Sequence, residues 1–185
     1  MIAARVLASE HHAILKVAGQ LDTACALVSA GNHVPSDIFD DIADFMDVFL
    51  DRYHHGKEEN AVFPMLMSRD ESMISVLASD HGFMRLRAAK YAAASRLYQP
   101  GDGSSSRRLV VAAGQHVDLV RMHINMENTV LLGILRRLSR AEDATVCDAM
   151  RRFDAVADMA GRDRVHALVE DIECRVHGAG KLPIQ

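Results

Sequence analysis

Residues 53–64 read Tyr-His-His-Gly-Lys-Glu-Glu-Asn-Ala-Val-Phe-Pro, and within them His54 is followed four residues later by Glu58. Residues four apart on a helix lie on the same face, so both side chains can reach the same ion or two adjacent ions. The same spacing recurs 69 residues further on as His123 and Glu127. This repeat of an imidazole and a carboxylate predicts two helices that face each other across a metal site.

Two acid-histidine pairs complete the repeat. Glu10-His11 precedes the first His-Glu pair and Asp80-His81 precedes the second, with the two histidines 70 residues apart. The apolar sequence around the two copies differs, so the feature they share is the type of donor atom. We expect Glu10 and Asp80 to be solvent-facing or to support the ligands from outside. The six predicted metal ligands are His11, His54, Glu58, His81, His123 and Glu127.

The chain is predicted to be almost entirely helical, because it has only four prolines and few glycine-rich breaks. Gly31 is predicted to stop the first helix and Ser36 to cap the second. Pro64 should loosen the last turn of the second helix, with regular helix before it, because proline cannot donate to the carbonyl four residues back. The predicted helices cover residues 2–30, 36–69, 72–98 and 105–139, and a helical tail covers 141–177 with a break at Gly161.

Apolar spacing predicts an all-α, up-down-up-down four-helix bundle over residues 1–140. On the first helix His11 takes a core position between Leu7 and Ile14, at the alternating steps of four and three that a bundle core requires. His81 takes a similar position on the third helix. At a rise of about 1.5 Å per residue, all four helices bring their ligands to one level. Residues 141–185 are expected to form a helical tail that packs on the bundle or extends it.

Composition excludes several classes of protein. The chain is 49% hydrophobic and 25% charged with a net charge of −4, which gives no electrostatic footprint for nucleic acid. It has no apolar run of roughly 18 residues, as a membrane span would need, and its first ten residues lack a secretory pattern. We therefore expect a cytoplasmic protein without a membrane or nucleic-acid partner, and leave a protein partner open.

The donor set limits the metal. Imidazole and carboxylate ligands without thiolates favour iron, manganese or zinc, and the ligand types alone do not choose among these. Four histidines and two glutamates exceed what one ion needs. Two ions could each take two histidines and share both glutamates, which leaves space for an oxo or hydroxo bridge and an open position. We therefore predict a dinuclear site.

The sequence does not decide the roles of four further residues near the predicted site. His55 shares its helical side with Asp51, Arg52 and Glu59, so we predict that it points away from the site, whereas His54 points in. His116 is expected in the core, roughly 10 Å from the ligands along the helix axis. Either a ligand role or a supporting role remains open for His12, His55, Glu59 and His116.

The stretches 10–15, 53–64, 80–81 and 123–127 resemble the hemerythrin-like, or HHE cation-binding, domains, and the resemblance covers about residues 5–138. It implies a hemerythrin-like four-helix bundle that holds a non-haem di-iron centre. The chain departs from the oxygen-carrying hemerythrins at Arg85, where those have a ligand histidine, and at Asn128, where they have aspartate. It is more similar to the four-His, two-Glu domains of iron-centre repair proteins and of an iron-sensing ubiquitin-ligase subunit.

The resemblance implies two iron ions, with manganese or zinc as substitutes, that bind a diatomic ligand such as oxygen or nitric oxide. Sensing, storage and stress response are the roles we expect. Two alternatives remain: a redox enzyme that turns over peroxide or nitric oxide or repairs iron centres, and an interaction module governed by iron occupancy. Whether the protein is an enzyme is therefore left open. Ferritin-like di-iron bundles use Glu-x-x-His pairs, and no glutamate in this chain has a histidine three residues later.

Overall fold

The structure, a computed structural model, describes residues 1–157 and 162–180. Within those residues every regular element is a helix and no strand occurs, which confirms the predicted all-α fold. No helix of the described chain combines the length and the apolar character needed to cross a lipid bilayer. The α-helices are α1 (Ile2–Ser29), α2 (Ser36–Phe45), α3 (Phe63–Leu66), α4 (Glu71–Arg96), α5 (Gly103–Met126), α6 (Leu132–Arg136), α7 (Arg140–Val156) and α8 (Arg162–Ala179).

Four long helices form the bundle. The first is α1 and the third is α4. The second covers residues 36–66, from α2 to α3, and the fourth covers residues 103–136, from α5 to α6; each consists of several helical segments. α4 packs against α5 and α2, and α5 packs against α1, so the four helices close around one core. Outside the bundle, α8 lies along α1 and α2, and α7 lies against α1 and residues 58–62. The predicted break at Gly161 falls outside the described residues.

The second and fourth long helices contain π-helical segments, in which the backbone hydrogen bonds run from residue i to i+5. These segments are Met46–His55, Glu58–Val62 and Glu127–Leu131. The expectation of regular α-helix up to Pro64 is therefore wrong. Pro64 instead lies in the first turn of α3, where its missing N–H is not needed.

The internal repeat extends to these distortions. One π-helical segment begins at Glu58 and another begins at Glu127. In each, a polar side chain bonds back to the carbonyl four residues earlier: Asn60 Nδ2 donates to Gly56 O at 2.7 Å, and Thr129 Oγ1 donates to Asn125 O at 2.8 Å. Both glutamates therefore enter the core from the start of a locally widened helix.

The turn after α1 follows the prediction at Gly31 but not at Ser36. Gly31 has a φ of +84°, which glycine adopts without steric cost, and Asn32 N donates to Leu27 O at 3.0 Å to close the helix end. Ser36 is the first residue of α2 rather than its cap. Pro35 precedes it, and no side chain caps this helix start.

The apolar core is divided into two clusters by a buried polar layer. On α1, Ala3, Ala4 and Leu7 belong to one cluster and the residues from Ala13 onward to the other. Glu10, which lies between them, is also buried. The same interruption occurs on the other long helices, between Tyr53 and Ala61, between Leu77 and Met84, and between Ile124 and Leu131. All four helices thus contribute polar residues at one level of the bundle.

Candidate metal centre

The six side chains predicted as ligands all lie in this buried layer, and none is more than 1% exposed. They form two overlapping groups, in each of which one donor atom from every residue lies within 4.8 Å of the others. One group contains His11 and His54, and the other contains His81 and His123. Glu58 and Glu127 belong to both groups.

Each glutamate lies between the two pairs of histidines. Glu127 Oε2 is 3.2 Å from His11 Nε2, and its other oxygen, Oε1, is 3.1 Å from His123 Nε2. Glu58 Oε2 is 3.7 Å from His54 Nε2 and 3.4 Å from His81 Nε2. Nitrogen and oxygen ligands sit about 2.0–2.2 Å from a zinc-sized ion, so donors to one ion lie within about 4.4 Å of each other. These separations suit coordination.

The histidines present Nε2 inward because Nδ1 faces a polar partner on the outside. His54 Nδ1 lies 2.9 Å from Glu10 Oε2, and His81 Nδ1 lies 2.8 Å from Glu59 Oε1. An ionised carboxylate only accepts hydrogen bonds, so Nδ1 donates, and the lone pair of the neutral ring is left on Nε2. This is the tautomer and the outer partner that metal-binding histidines use.

The two halves of the repeat support each other's histidines. The acid before His11, Glu10, bonds to His54, and the acid before His81, Asp80, faces His123 Nδ1 at 3.6 Å. The residues after the two glutamates act the same way: Glu59 bonds to His81, and Asn128 Oδ1 lies 2.9 Å from His11 Nδ1. Glu10, Glu59 and Asn128 thus orient a ligand ring of a neighbouring helix, whereas Asp80 lies too far from His123 Nδ1 for a hydrogen bond.

Six of the inward donor atoms are buried without hydrogen-bond partners among the described residues. They are Nε2 of His11 and of His54 and both carboxylate oxygens of Glu58 and of Glu127. Leaving one such group unsatisfied costs about 1–3 kcal/mol, and more for a charged group. Cations between the carboxylates and the imidazoles would satisfy all of these atoms at once. The residues present therefore fit a pair of metal ions.

Titration within the layer reflects its burial. Burial, together with the charge of Glu127, holds the pKa of Glu58 well above its ordinary value. Burial, together with the charge of His123, lowers the pKa of His81 to about 4. In the metal-free protein Glu58 therefore tends to keep a proton, whereas His81 stays neutral at physiological pH. Neutral imidazole is the form that binds metals.

His55 contradicts the prediction that it points away from the site. It is 1% exposed, and its ring stacks on His81 with centroids 3.8 Å apart and planes 15° apart. It forms a third group of close donor atoms with His81 and His123. The reason is the π-helical segment that ends at His55: a π-helix has more residues per turn than an α-helix, so adjacent side chains diverge less around the axis.

His12, Glu59 and His116, whose roles the sequence did not decide, belong to none of the three groups of close donor atoms. His12 is exposed. The Glu59 side chain is 30% exposed and is engaged with His81 and with Arg85 Nη2, which lies 2.8 Å away. His116 is buried and lies parallel to the ring of Tyr91, with centroids 6.2 Å apart.

Lys57 is a functional candidate that sequence reasoning missed. Its side chain is completely buried, and Nζ lies 2.5 Å from Glu10 Oε1, 3.0 Å from Asp154 Oδ1 on α7 and 3.9 Å from the centre of the Tyr53 ring. Burial lowers the pKa of Lys57, but the charge and hydrogen bond of Glu10 outweigh this effect, so the pKa is raised. Lys57 thus neutralises the carboxylate that orients His54.

Replacing Lys57 by methionine is expected to lower the free energy of unfolding by about 3 kcal/mol, because it leaves Glu10 as a buried carboxylate without its counter-charge. Asp154→Asn is the control and should cost much less, since Asp154 is 31% exposed. Urea denaturation of both variants measures the difference. Equal, small losses would show that Lys57 does not compensate Glu10.

Comparison with known proteins agrees with this geometry. A family model described as the hemerythrin HHE cation binding domain matches residues 3–135. The chain therefore belongs to the hemerythrin HHE cation-binding domain family. No curated protein and no solved structure matches it. The matched region contains all six predicted ligands and ends before α7 begins.

Proposed function

We propose that this protein holds two iron ions between its four long helices and uses them to bind a diatomic ligand, oxygen or nitric oxide. The observation that carries the proposal is the placement of Glu127, whose two oxygens face histidines of different groups. A carboxylate in that position is suited to join two ions. His11 and His54 would hold one ion, and His81 and His123 would hold the other.

The protein's own residues supply a buried, prearranged set of donor atoms, and iron would supply redox-active binding of a small ligand. Imidazole and carboxylate donors also suit manganese and zinc, so either could substitute when iron is scarce. The family match supports cation binding, and iron is our proposal within that class.

Burial favours a small ligand over a larger substrate. None of the six proposed ligands is more than 1% exposed, so a molecule that reaches them must pass between packed side chains. Oxygen and nitric oxide are small enough to do so on ordinary side-chain fluctuations. We therefore propose a role in sensing, storage or stress response rather than chemistry on a bulky metabolite.

Protein purified from iron-replete cells is expected to contain two iron ions per chain, because two overlapping donor groups share both glutamates. Elemental analysis against protein concentration measures the ratio. The optical spectrum before and after exposure of the ferrous protein to air, and then to nitric oxide, tests ligand binding. A reproducible ratio of one ion per chain would exclude the dinuclear site.

Turnover measurements separate ligand binding from the enzymatic alternative. The reconstituted protein is incubated with peroxide or nitric oxide and an electron donor, and consumption is followed beyond one equivalent per site. We expect binding that saturates at one ligand per ion pair. Sustained consumption over many equivalents, lost in the Glu58→Gln variant, would instead show that the centre is a redox enzyme.

A further inference from the structure

Among the side chains that the structure describes, two buried histidines, His55 and His116, are not used by the four-histidine site. Both rings carry buried nitrogen atoms without hydrogen-bond partners in the described part of the chain. A buried, unpaired polar atom is a cost that a folded protein normally avoids. The two residues differ in what surrounds them.

His55 lies beside one of the two groups of proposed ligands. A donor nitrogen of His55 lies within 4.8 Å of donor nitrogens of both His81 and His123. His81 Nε2 and His123 Nε2 are themselves only 3.0 Å apart. Donor nitrogens of three histidines therefore lie close together in this part of the site.

The His55 ring is oriented in the same way as the proposed ligands. Its Nδ1 lies 3.3 Å from Asp51 Oδ1, while its Nε2 is buried and unpaired. Asp51 is held in place by Arg85, whose Nε donates to it at 2.7 Å and whose Nη2 donates to Glu59 at 2.8 Å. Arg85 thus anchors both carboxylates that face the Nδ1 atoms of His55 and His81.

His116 shows that an unpaired buried nitrogen alone is not enough. Neither of its ring nitrogens has a partner among the described residues, and no carboxylate fixes its tautomer. It is also absent from the three groups of converging donor atoms that the described residues form. His55 combines three features that His116 lacks: an outer carboxylate, an inward Nε2 and two histidine nitrogens close to it.

We propose that His55 is a fifth histidine ligand, which binds through Nε2 to the same ion as His81 and His123. The inference rests on the proposed di-metal function. The two ions would then be unequal, with three histidines on one and two on the other, while both share the glutamates. The third histidine would come from the second helix, next to His54, instead of from the third helix, where the chain has Arg85.

The first test counts histidine ligands in the intact wild-type protein loaded with Co²⁺ alone. A histidine bound through Nε2 to this paramagnetic ion shows a strongly shifted, exchangeable Nδ1–H proton resonance. Labelling histidines with ¹⁵N identifies these resonances. We expect five of them from protein that carries two Co²⁺ ions per chain. Four would overturn the assignment of His55 while leaving the ion pair intact.

The second test is a Co²⁺ titration of His55→Gln, followed by calorimetry. One ion should bind with the wild-type affinity. The other should bind ~10- to 100-fold more weakly or worse, because the loss of an outer partner of a metal ligand alone has an effect of that size. His116→Gln and His12→Gln are the controls, one buried and one exposed, and each should bind both ions as the wild type does.

The outcomes separate this inference from the function on which it rests. If His55→Gln binds two ions with unchanged affinities, His55 is not a ligand and the six-residue centre stands. If the wild type binds no ion pair and gives no shifted resonances, the proposed function itself fails. If His55→Gln does not fold, the number of resonances in the wild type decides the question without it.

Discussion

Removing the metal with a chelator is expected to lower the melting temperature by about 10 °C near neutral pH. A metal present at about 1,000 times its dissociation constant, and bound only by the native state, contributes about 4 kcal/mol. In a chain of this size each kcal/mol shifts the melting temperature by about 2–4 °C. Circular dichroism of loaded, chelated and anaerobically reconstituted protein measures the change. Ferrous iron added back without oxygen should restore the original value.

The difference between the two forms should shrink in mild acid. Burial and the charge of Glu127 raise the pKa of Glu58, so its contribution to the stability of the metal-free protein is present at low pH and lost as the pH rises through that folded pKa. The pKa of His81 is lowered to about 4. The stability that this buried, neutral imidazole contributes to the metal-free protein is therefore present above its ordinary pKa and is lost as the pH falls toward 4.

Acid therefore affects the loaded and the metal-free protein differently. Protons compete with the metal for imidazoles once the pH falls below about 6.5, whereas protonation of Glu58 relieves carboxylate repulsion in the metal-free protein. Melting curves recorded near pH 7 and about pH 5.5 test both effects. Equal melting temperatures of the loaded and chelated forms near neutral pH would show that the buried residues do not coordinate a metal.

Glu58→Gln is expected to reduce the metal content from two ions per chain to one or none, whereas Glu59→Gln should retain both. The two carboxylates are adjacent in sequence, but Glu58 is completely buried between His54 and His81. Glu59 instead binds the outer Nδ1 of His81 and the Arg85 guanidinium. Glu59→Gln changes only an outer partner of His81, which typically costs 10- to 100-fold in affinity. Saturating iron should therefore still load this variant with both ions. Elemental analysis at limiting and at saturating iron compares the variants.

The same substitution should stabilise the protein once the metal is removed. Glu58 and Glu127 are both buried, and burial together with the charge of Glu127 disfavours the ionised form of Glu58. A neutral amide at position 58 removes this cost. We therefore expect the free energy of unfolding, measured in urea, to be about 1 kcal/mol higher for metal-free Glu58→Gln than for metal-free wild type. If Glu59→Gln loses more metal than Glu58→Gln, the wrong carboxylate was assigned as the ligand.

Helical periodicity was enough to predict the layer in which the polar residues meet. α1 and α4 are regular α-helices, so the positions of His11 and His81 within apolar stripes correctly indicated that both point into the core. The repeated spacing then placed the two His-Glu pairs at the same level. The predicted all-α bundle follows from the same pattern, and it is confirmed by the fold and the family match.

Helical periodicity could not place His55, because a regular α-helix rotates by about 100° per residue and this segment does not. The helix is π-helical up to His55, and no composition rule indicated the change in pitch. The His-His pair was the available signal, but it could be interpreted only once the pitch was known. Lys57 was missed for another reason: its partner Asp154 lies far along the chain, and no local pattern connects them.

The close packing of α7 on the second helix is expected to keep water away from the residues that support the centre. A Cβ atom at Gly56 would lie 3.0 Å from the Phe153 ring, and the adjacent Lys57 reaches Asp154 on the same helix. A chain that ended after Ser139 would expose this surface and admit water to Lys57 and Glu10. Backbone amides of residues 53–58 would then exchange with deuterium faster than in the full chain, although the helix that carries them is unchanged in sequence.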